Sequence, residues 1–248
     1  MRVIARLDVK NQFVIKGIHL EGLRKVGDPN QLAKAYYEAG IDEIILIDAV
    51  ASLYNRNNLF SVLQKASEEV FVPITIGGGL RNLYDVEKAL DAGADKVALN
   101  TAAIREPELI EKVAKQYGSQ CVVASVQAKH TANGWEAYIE TGREKTGVQV
   151  LDWVRRLQEL GAGELLLTSV DKEGTKSGFD IPLVRAVNNA VSIPVIVSGG
   201  YGQPKHINEL LEVTEPSGLC FASALHYKTA CASDLRDSIE SAKAGRMK

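Results

Sequence analysis

The chain lacks the features that would mark it as a membrane, secreted or nucleic-acid-binding protein. Neither charge is in excess: 29 Lys and Arg against 31 Asp and Glu leave a formal charge of −2 and a pI near 6.1. No long-range field then draws a polyanion or an acidic membrane surface, so neither is expected as the main partner. The cysteines number only three, Cys121, Cys220 and Cys231, in or beside apolar segments and without paired spacing. They read as reduced thiols and form no zinc pattern, so no metal and no cofactor is expected. No apolar run reaches bilayer-spanning length, and the opening "MRVIARLDVK" places Asp8 where a signal peptide's apolar stretch would continue. A soluble, cytoplasmic protein is expected.

What is present is one repeated alternation. Apolar, β-rich runs stand at 3–8, 43–48, 73–77, 96–100, 121–127, 164–169, 194–199 and 219–223, separated by amphipathic helical patterns. The segment 28–40 has Asp28 as N-cap before Pro29 and Gly40 as a stop, and 105–118 ends at Gly118. Eight strands at roughly thirty residues per unit predict a parallel (β/α)8 TIM barrel, with a doubly wound open sheet as the alternative.

An internal repeat decides between them. "VFVPITIGGGL" (70–80) matches "VSIPVIVSGGY" (191–201), and "AGIDEIILIDA" (39–49) matches "LGAGELLLTSV" (160–170), both at an offset of 121 residues. "LDVK" (7–10) aligns with "VQAK" (126–129), at an offset of 119. Two four-stranded half-barrels, about 1–120 and 121–248, are expected to close into a single domain over 1–248. Segments 11–20 and 133–142 read as short hairpins inserted after the first and fifth runs.

Barrels of this type keep their sites at the C-terminal ends of the strands. There "GGGL" (77–80) and "SGGY" (198–201) occupy twofold-related places, with Asn100 and Thr101 beside the first and Ser223 beside the second. Glycines let backbone amides approach an anion, so Gly78, Gly79, Gly199 and Gly200 are candidate contacts for a ligand with a phosphate at each end.

These residues, with "LDVK", "VIKG", "GADKVALNTAA", "GAGELLLTSVDKEGTKSGFD" and "IPVIVSGG", resemble the cyclase subunit of imidazole glycerol phosphate synthase over essentially the whole chain. The resemblance implies a barrel that takes ammonia from a glutaminase partner at its N-terminal face and uses it on a two-phosphate substrate at the other. It assigns Arg2, Glu43, Lys96 and Glu164 to a charged ammonia gate, and Asp95 to the partner contact. It makes Lys16 and Thr168 substrate contacts, and Asp8 one of two catalytic carboxylates. The second carboxylate position is held by Gln127.

An amide has no proton to exchange near neutral pH, so Gln127 can orient a ligand but cannot act as acid or base. Strand alternation puts Arg2, Ile4, Arg6 and Asp8 on one face. If that face is the interior, Arg6, where the family has a small residue, lies one layer below Asp8 and needs carboxylate or backbone partners. Val50, Glu173 and Tyr201 also depart from the family pattern, as does the Asn- and Arg-rich stretch within 47–60. The changes cluster where substrate would bind and the matches where ammonia would enter. The leading expectation is therefore a cyclase-like subunit that passes glutaminase-derived ammonia to a separate sugar amidotransferase of surface polysaccharide (O-antigen) synthesis. The alternative is a cyclase of histidine biosynthesis acting through Asp8, and a sugar-phosphate isomerase comes third.

Overall fold

The structure, a computed structural model, describes residues 1–51 and 59–246. In chain order the strands are β1 (Arg2–Lys10), β2 (Phe13–Ile18), β3 (Glu21–Gly27), β4 (Glu43–Asp48), β5 (Ile74–Gly77), β6 (Lys96–Leu99), β7 (Val122–Thr131), β8 (Gly134–Ile139), β9 (Glu144–Gln149), β10 (Glu164–Ser169), β11 (Val195–Ser198) and β12 (Gly218–Phe221). The helices are α1 (Pro29–Glu38), α2 (Leu59–Glu69), α3 (Leu83–Asp91), α4 (Thr101–Arg105), α5 (Glu108–Tyr117), α6 (Val150–Glu159), α7 (Ile181–Ala190), α8 (Lys205–Val213), α9 (Ser223–His226) and α10 (Ala232–Arg246). Among the described residues no helix is long and apolar enough to cross a membrane.

Eight parallel strands run in the order β10, β11, β12, β1, β4, β5, β6, β7, and β7 pairs back onto β10. The sheet is a closed (β/α)8 barrel, as the alternation predicts. Period two along each strand sorts the side chains. In β1, Val3, Ala5, Leu7 and Val9 join the large core between barrel and helices, whereas Ile4 joins a small inner cluster with Ile45, Val123, Leu166, Ile196 and Cys220. Arg2, Arg6 and Asp8 share the inward face with Ile4, so the interior reads from bottom to top as charge, apolar layer, charge.

The helices form where their signals stand. Asp28 accepts hydrogen bonds from the Asn30 and Gln31 amides, at 3.0 and 2.9 Å, and Pro29 opens α1. The helix expected over 105–118 begins later, as α5, and Arg105 instead ends the short α4, the two separated at Glu106 and Pro107. Proline has no amide hydrogen to continue α4, and it pushes Glu106 out of helical geometry, to φ −139° and ψ 82°.

The two insertions are larger than short hairpins. β1 runs past the barrel rim to pair antiparallel with β2, Asp8 opposite Ile15 and Lys10 opposite Phe13, and β2 pairs with β3. β7, β8 and β9 repeat the arrangement, Gln127 lying opposite Tyr138. Each flap is thus continuous with the strand that carries a candidate site residue.

Candidate functional site

At the N-terminal mouth Arg2, Glu43, Lys96 and Glu164 meet. Arg2 donates from Nη1 to Glu43 Oε2 at 2.7 Å and contacts the Glu164 carboxylate through Nη2. Lys96 Nζ donates to Glu43 Oε1 at 3.1 Å and to Glu164 Oε2 at 3.0 Å, and Thr75 Oγ1 donates to Glu43 at 3.0 Å. Cations and carboxylates alternate in a closed circuit. Burial works against the charged Arg2, but the two carboxylates outweigh it and raise its pKa. The ring is not a solvated rim, because Glu43 is 1% exposed and Glu164 6%. Asp95, one position before β6, accepts from the Ile74 amide at 2.8 Å and so ties down the start of β5.

Above the apolar layer the fully buried Arg6 donates from Nε to Asp8 Oδ1 at 2.9 Å and from Nη1 to Thr168 Oγ1 at 3.1 Å. Burial opposes its charge, the Asp8 carboxylate supports it, and the pKa is raised. Cys220, beneath it in the apolar layer, is pushed up to about 12 by burial, against the pull of Arg6. The guanidinium inferred from alternation therefore lies inside the barrel and is paired.

The strand ends around it differ from one another. Gly78 and Gly79, with Asn100 and Thr101, line a cavity of about 290 Å³ that also exposes Arg6, Arg81, Arg105, Asp48, Glu106 and Gln127. Gly78 has a φ of +88°, and a Cβ there would lie 2.3 Å from the Asp48 carbonyl oxygen, so no side chain fits. Asn100 is oriented by donating to the Ser125 and Tyr138 carbonyls, at 2.9 and 3.2 Å. Thr101 Oγ1 accepts from the Glu140 amide, and Arg105 donates to the Glu140 carboxylate at 2.9 Å. Burial raises the Asp48 pKa against the amides that its carboxylate accepts from. Gln127 Oε1 is buried without a hydrogen-bond partner.

Around Gly199, Gly200 and Ser223 the cavity is only about 20 Å³, with Glu173 and Tyr201 in its wall. Tyr201 packs edge-on against Phe221, ring centroids 5.0 Å apart. Lys16, on β2, reaches Glu173 in a buried ion pair. Burial lowers the lysine's pKa to about 8, and the Asp8 carboxylate opposes that. Val50 donates its amide to Asp48 Oδ1 at 3.0 Å. The rest of the 47–60 departure falls largely on residues 52–58, outside the described residues.

Sequence reasoning missed one pair near Asp8. Tyr36 Oη and His226 Nδ1 share a hydrogen bond of 2.7 Å, their rings stacked with centroids 5.9 Å apart. Burial depresses His226 to about 4, Asp8 opposing and Lys16 reinforcing the shift. Arg81 and Arg105 were missed too, since an arginine in a loop or at a helix end carries no sequence signal of its own. Among the described residues no cluster of His, Cys, Asp and Glu is placed to hold a metal.

A family profile described as "Histidine biosynthesis protein" matches residues 2–230. A Legionella pneumophila protein named imidazole glycerol phosphate synthase subunit HisF is 56% identical over 209 residues, covering 84% of this chain and 99% of that relative. This chain belongs to the imidazole glycerol phosphate synthase cyclase-subunit family. HisF subunits of the same name from Streptococcus gordonii and Streptococcus mutans are 46% and 44% identical over 242 and 240 residues, each alignment covering 96% of the relative and 97% and 96% of this chain. None of these names mentions surface polysaccharide, so the leading expectation, sugar amidation, finds no support in them. They favour its alternative, the histidine-pathway family. The residues expected to depart from the family pattern, Arg6, Gln127 and Glu173, all lie at the C-terminal mouth.

Proposed function

We propose that the chain is the barrel subunit of a glutaminase-coupled synthase of the imidazole glycerol phosphate synthase type. It receives ammonia at its N-terminal mouth and delivers it to a phosphorylated acceptor at the other. The observation that carries this reading is the closed circuit of Arg2, Glu43, Lys96 and Glu164. Such a ring lets a small neutral molecule pass when one ion pair parts, because every member keeps an opposite charge beside it. The apolar layer above favours NH3 over NH4⁺ for the same reason that it excludes any unpaired charge. Docking of a partner is supported by Phe71, 75% exposed beside an open concavity that also contains Pro73 and Asp95.

At the upper mouth Asp8 is the remaining carboxylate for proton transfer, and Arg6 fixes its orientation. Gln127 can hold a ligand but exchanges no proton, and loss of one general acid or base typically costs a factor of about 10² to 10⁴. That specific departure favours a second reading, in which the barrel conducts ammonia to an acceptor held by another enzyme, a sugar amidotransferase among the candidates.

Co-purification with the glutaminase subunit from the same organism tests the first step. A 1:1 complex with stimulated glutaminase, the stimulation reduced by Lys96→Met, is the expected result; absence of any complex sinks the proposal. Rescue of a histidine auxotroph lacking its own barrel subunit then separates the two readings. Growth supports cyclisation with Asp8 alone, and failure to grow despite an intact complex supports delivery elsewhere.

A further inference from the structure

We propose that Arg6 is a second gate in the barrel: its guanidinium crosses the lumen above the apolar layer and keeps the passage shut until another donor takes over the Asp8 carboxylate. This deepens the reading above and rests on its taking the barrel as a conduit.

The two anchors of the side chain stand across the barrel from each other. Arg6 leaves β1, and its Nη1 donates to Thr168 Oγ1 on β10 at 3.1 Å. Around the closed sheet, β11 and β12 separate those strands on one side and β4, β5, β6 and β7 on the other. A side chain that joins β1 to β10 therefore runs through the middle of the lumen. Its level follows from the period of two: Arg6 comes next after Ile4 on the inward face, and Thr168 next after Leu166, both of the inner apolar cluster. The guanidinium lies directly on that layer.

The space above ends on it. The cavity of about 290 Å³ at the upper mouth has Arg6, Ala98, Ser125 and Gln127 among its walls, whereas Ile4, Ile45, Val123, Leu166, Ile196 and Cys220 are not among its described lining residues. The interior of an eight-stranded barrel is just wide enough for side chains to fill, so one guanidinium across it leaves no room for a passing molecule at that level. Shape alone does not require a charge here, since an apolar side chain would extend the layer beneath without the cost of burying an ion. What the charge adds is a hold that can be released. Asp8 is the one carboxylate that pairs with Arg6, through Nε at 2.9 Å, and the Thr168 hydroxyl is the other anchor. Asp8 stands where β1 passes out of the barrel into its flap, opposite Ile15, on the side from which an acceptor arrives. A hydroxyl or ammonium group donating to Asp8 takes the place of Arg6 and frees the guanidinium to swing into the cavity. Ammonia entering through the lower circuit is thus kept from the upper cavity until an acceptor is in place.

The three cysteines make this testable on the purified chain. Cys220 lies in the apolar layer beneath Arg6, Cys121 is buried in the outer core between barrel and helices, and Cys231 is exposed. Each is timed by peptide mass during reaction with methyl methanethiosulfonate, a small neutral thiol reagent. In the wild type Cys231 should react quickly while Cys220 and Cys121 stay protected; the space of about 20 Å³ that also borders Cys220 admits one water and not the reagent. Arg6→Ala should speed labelling of Cys220 by about tenfold or more with Cys121 still protected, because access now limits the reaction. Burial pushes the Cys220 thiol up to about 12 and Arg6 pulls it down, so loss of the arginine leaves less thiolate, and a faster reaction can only report an opened path. Asp8→Asn and Thr168→Val, which each loosen one anchor without removing the side chain, should give smaller rises in the same direction. Where Arg6→Ala exposes Cys121 as well, the whole fold has loosened and Thr168→Val decides. Cys220 labelled as fast as Cys231 in the wild type, or no faster in Arg6→Ala and Thr168→Val than in the wild type, would overturn the proposal. Because no glutaminase is present, a missing complex sinks the function proposed above without touching this result.

Discussion

At the lower mouth each of four charges touches two opposite charges, whereas at the upper mouth Arg6 has the single carboxylate of Asp8 and Lys16 that of Glu173. A circuit can part at one contact and leave every member with a partner, so opening it is inexpensive. An isolated buried pair has no such reserve, because separating it exposes two charges to a medium that does not solvate them. The lower circuit can therefore part at little cost. The upper pairs are built to stay.

The sharpest way to break this comparison is to remove one member of an upper pair. Arg6→Ala leaves Asp8 buried without its cation, and Lys16→Ala does the same to Glu173; each is expected to cost about 3–5 kcal/mol in urea unfolding. The double variant Arg6→Met with Asp8→Leu should recover most of that loss. A single variant that costs less than about 1 kcal/mol, the scale of an exposed pair, would show that the upper pairs are no more committed than surface ones.

Acid tests the same region by another route. His226 is neutral when folded, with a pKa of about 4 against 6.5 for the free side chain, so the unfolded chain binds the extra proton between those values. Stability is fully present above pH 6.5 and is lost as pH falls through about 4, by about 3 kcal/mol in all. His226→Phe should flatten that part of the stability profile measured between pH 7 and pH 4; an unchanged slope would place the acid sensitivity elsewhere.

At the lower mouth Lys96→Met leaves Glu43 with Arg2 and Thr75, and Glu164 with Arg2. The expected loss is about 1–2 kcal/mol, less than for Arg6→Ala, since each remaining charge keeps a partner. Equal losses at the two mouths would erase the distinction between circuit and pair. The smallest effect calibrates the others: Asp28→Ala, which removes the cap of α1 far from either mouth, should cost about 1 kcal/mol by the same denaturation.

The barrel was legible because its signals are local and repeated. Strand runs, the Asp28 cap and the offset between the two halves each survive in the order of residues alone. The alternation that put Arg6 on one face with Arg2, Ile4 and Asp8 needed only a period of two, and it placed the guanidinium in the right layer. Less of the site could be read. The glycine pairs look equivalent in sequence, and nothing local to "SGGY" announces that Glu173, 26 residues earlier, covers it. Gln127 was recognised as an amide, but its lack of a partner is a property of the residues around it. Arg81, Arg105 and the Tyr36–His226 pair carry no spacing that distinguishes them from surface side chains.

The sequence by itself determined the architecture, the inward face of β1 and the two points at which anions were expected, since these follow from periodicity and from which residues can turn a chain. Only the tertiary structure decided that Glu173 covers the second of these points, because that depends on a buried pair formed between β2 and the loop after β10, 157 positions apart. Burial turns such a contact from a weak surface attraction into a fixed element, and burial is set by everything packed around the pair and not by the two residues that form it.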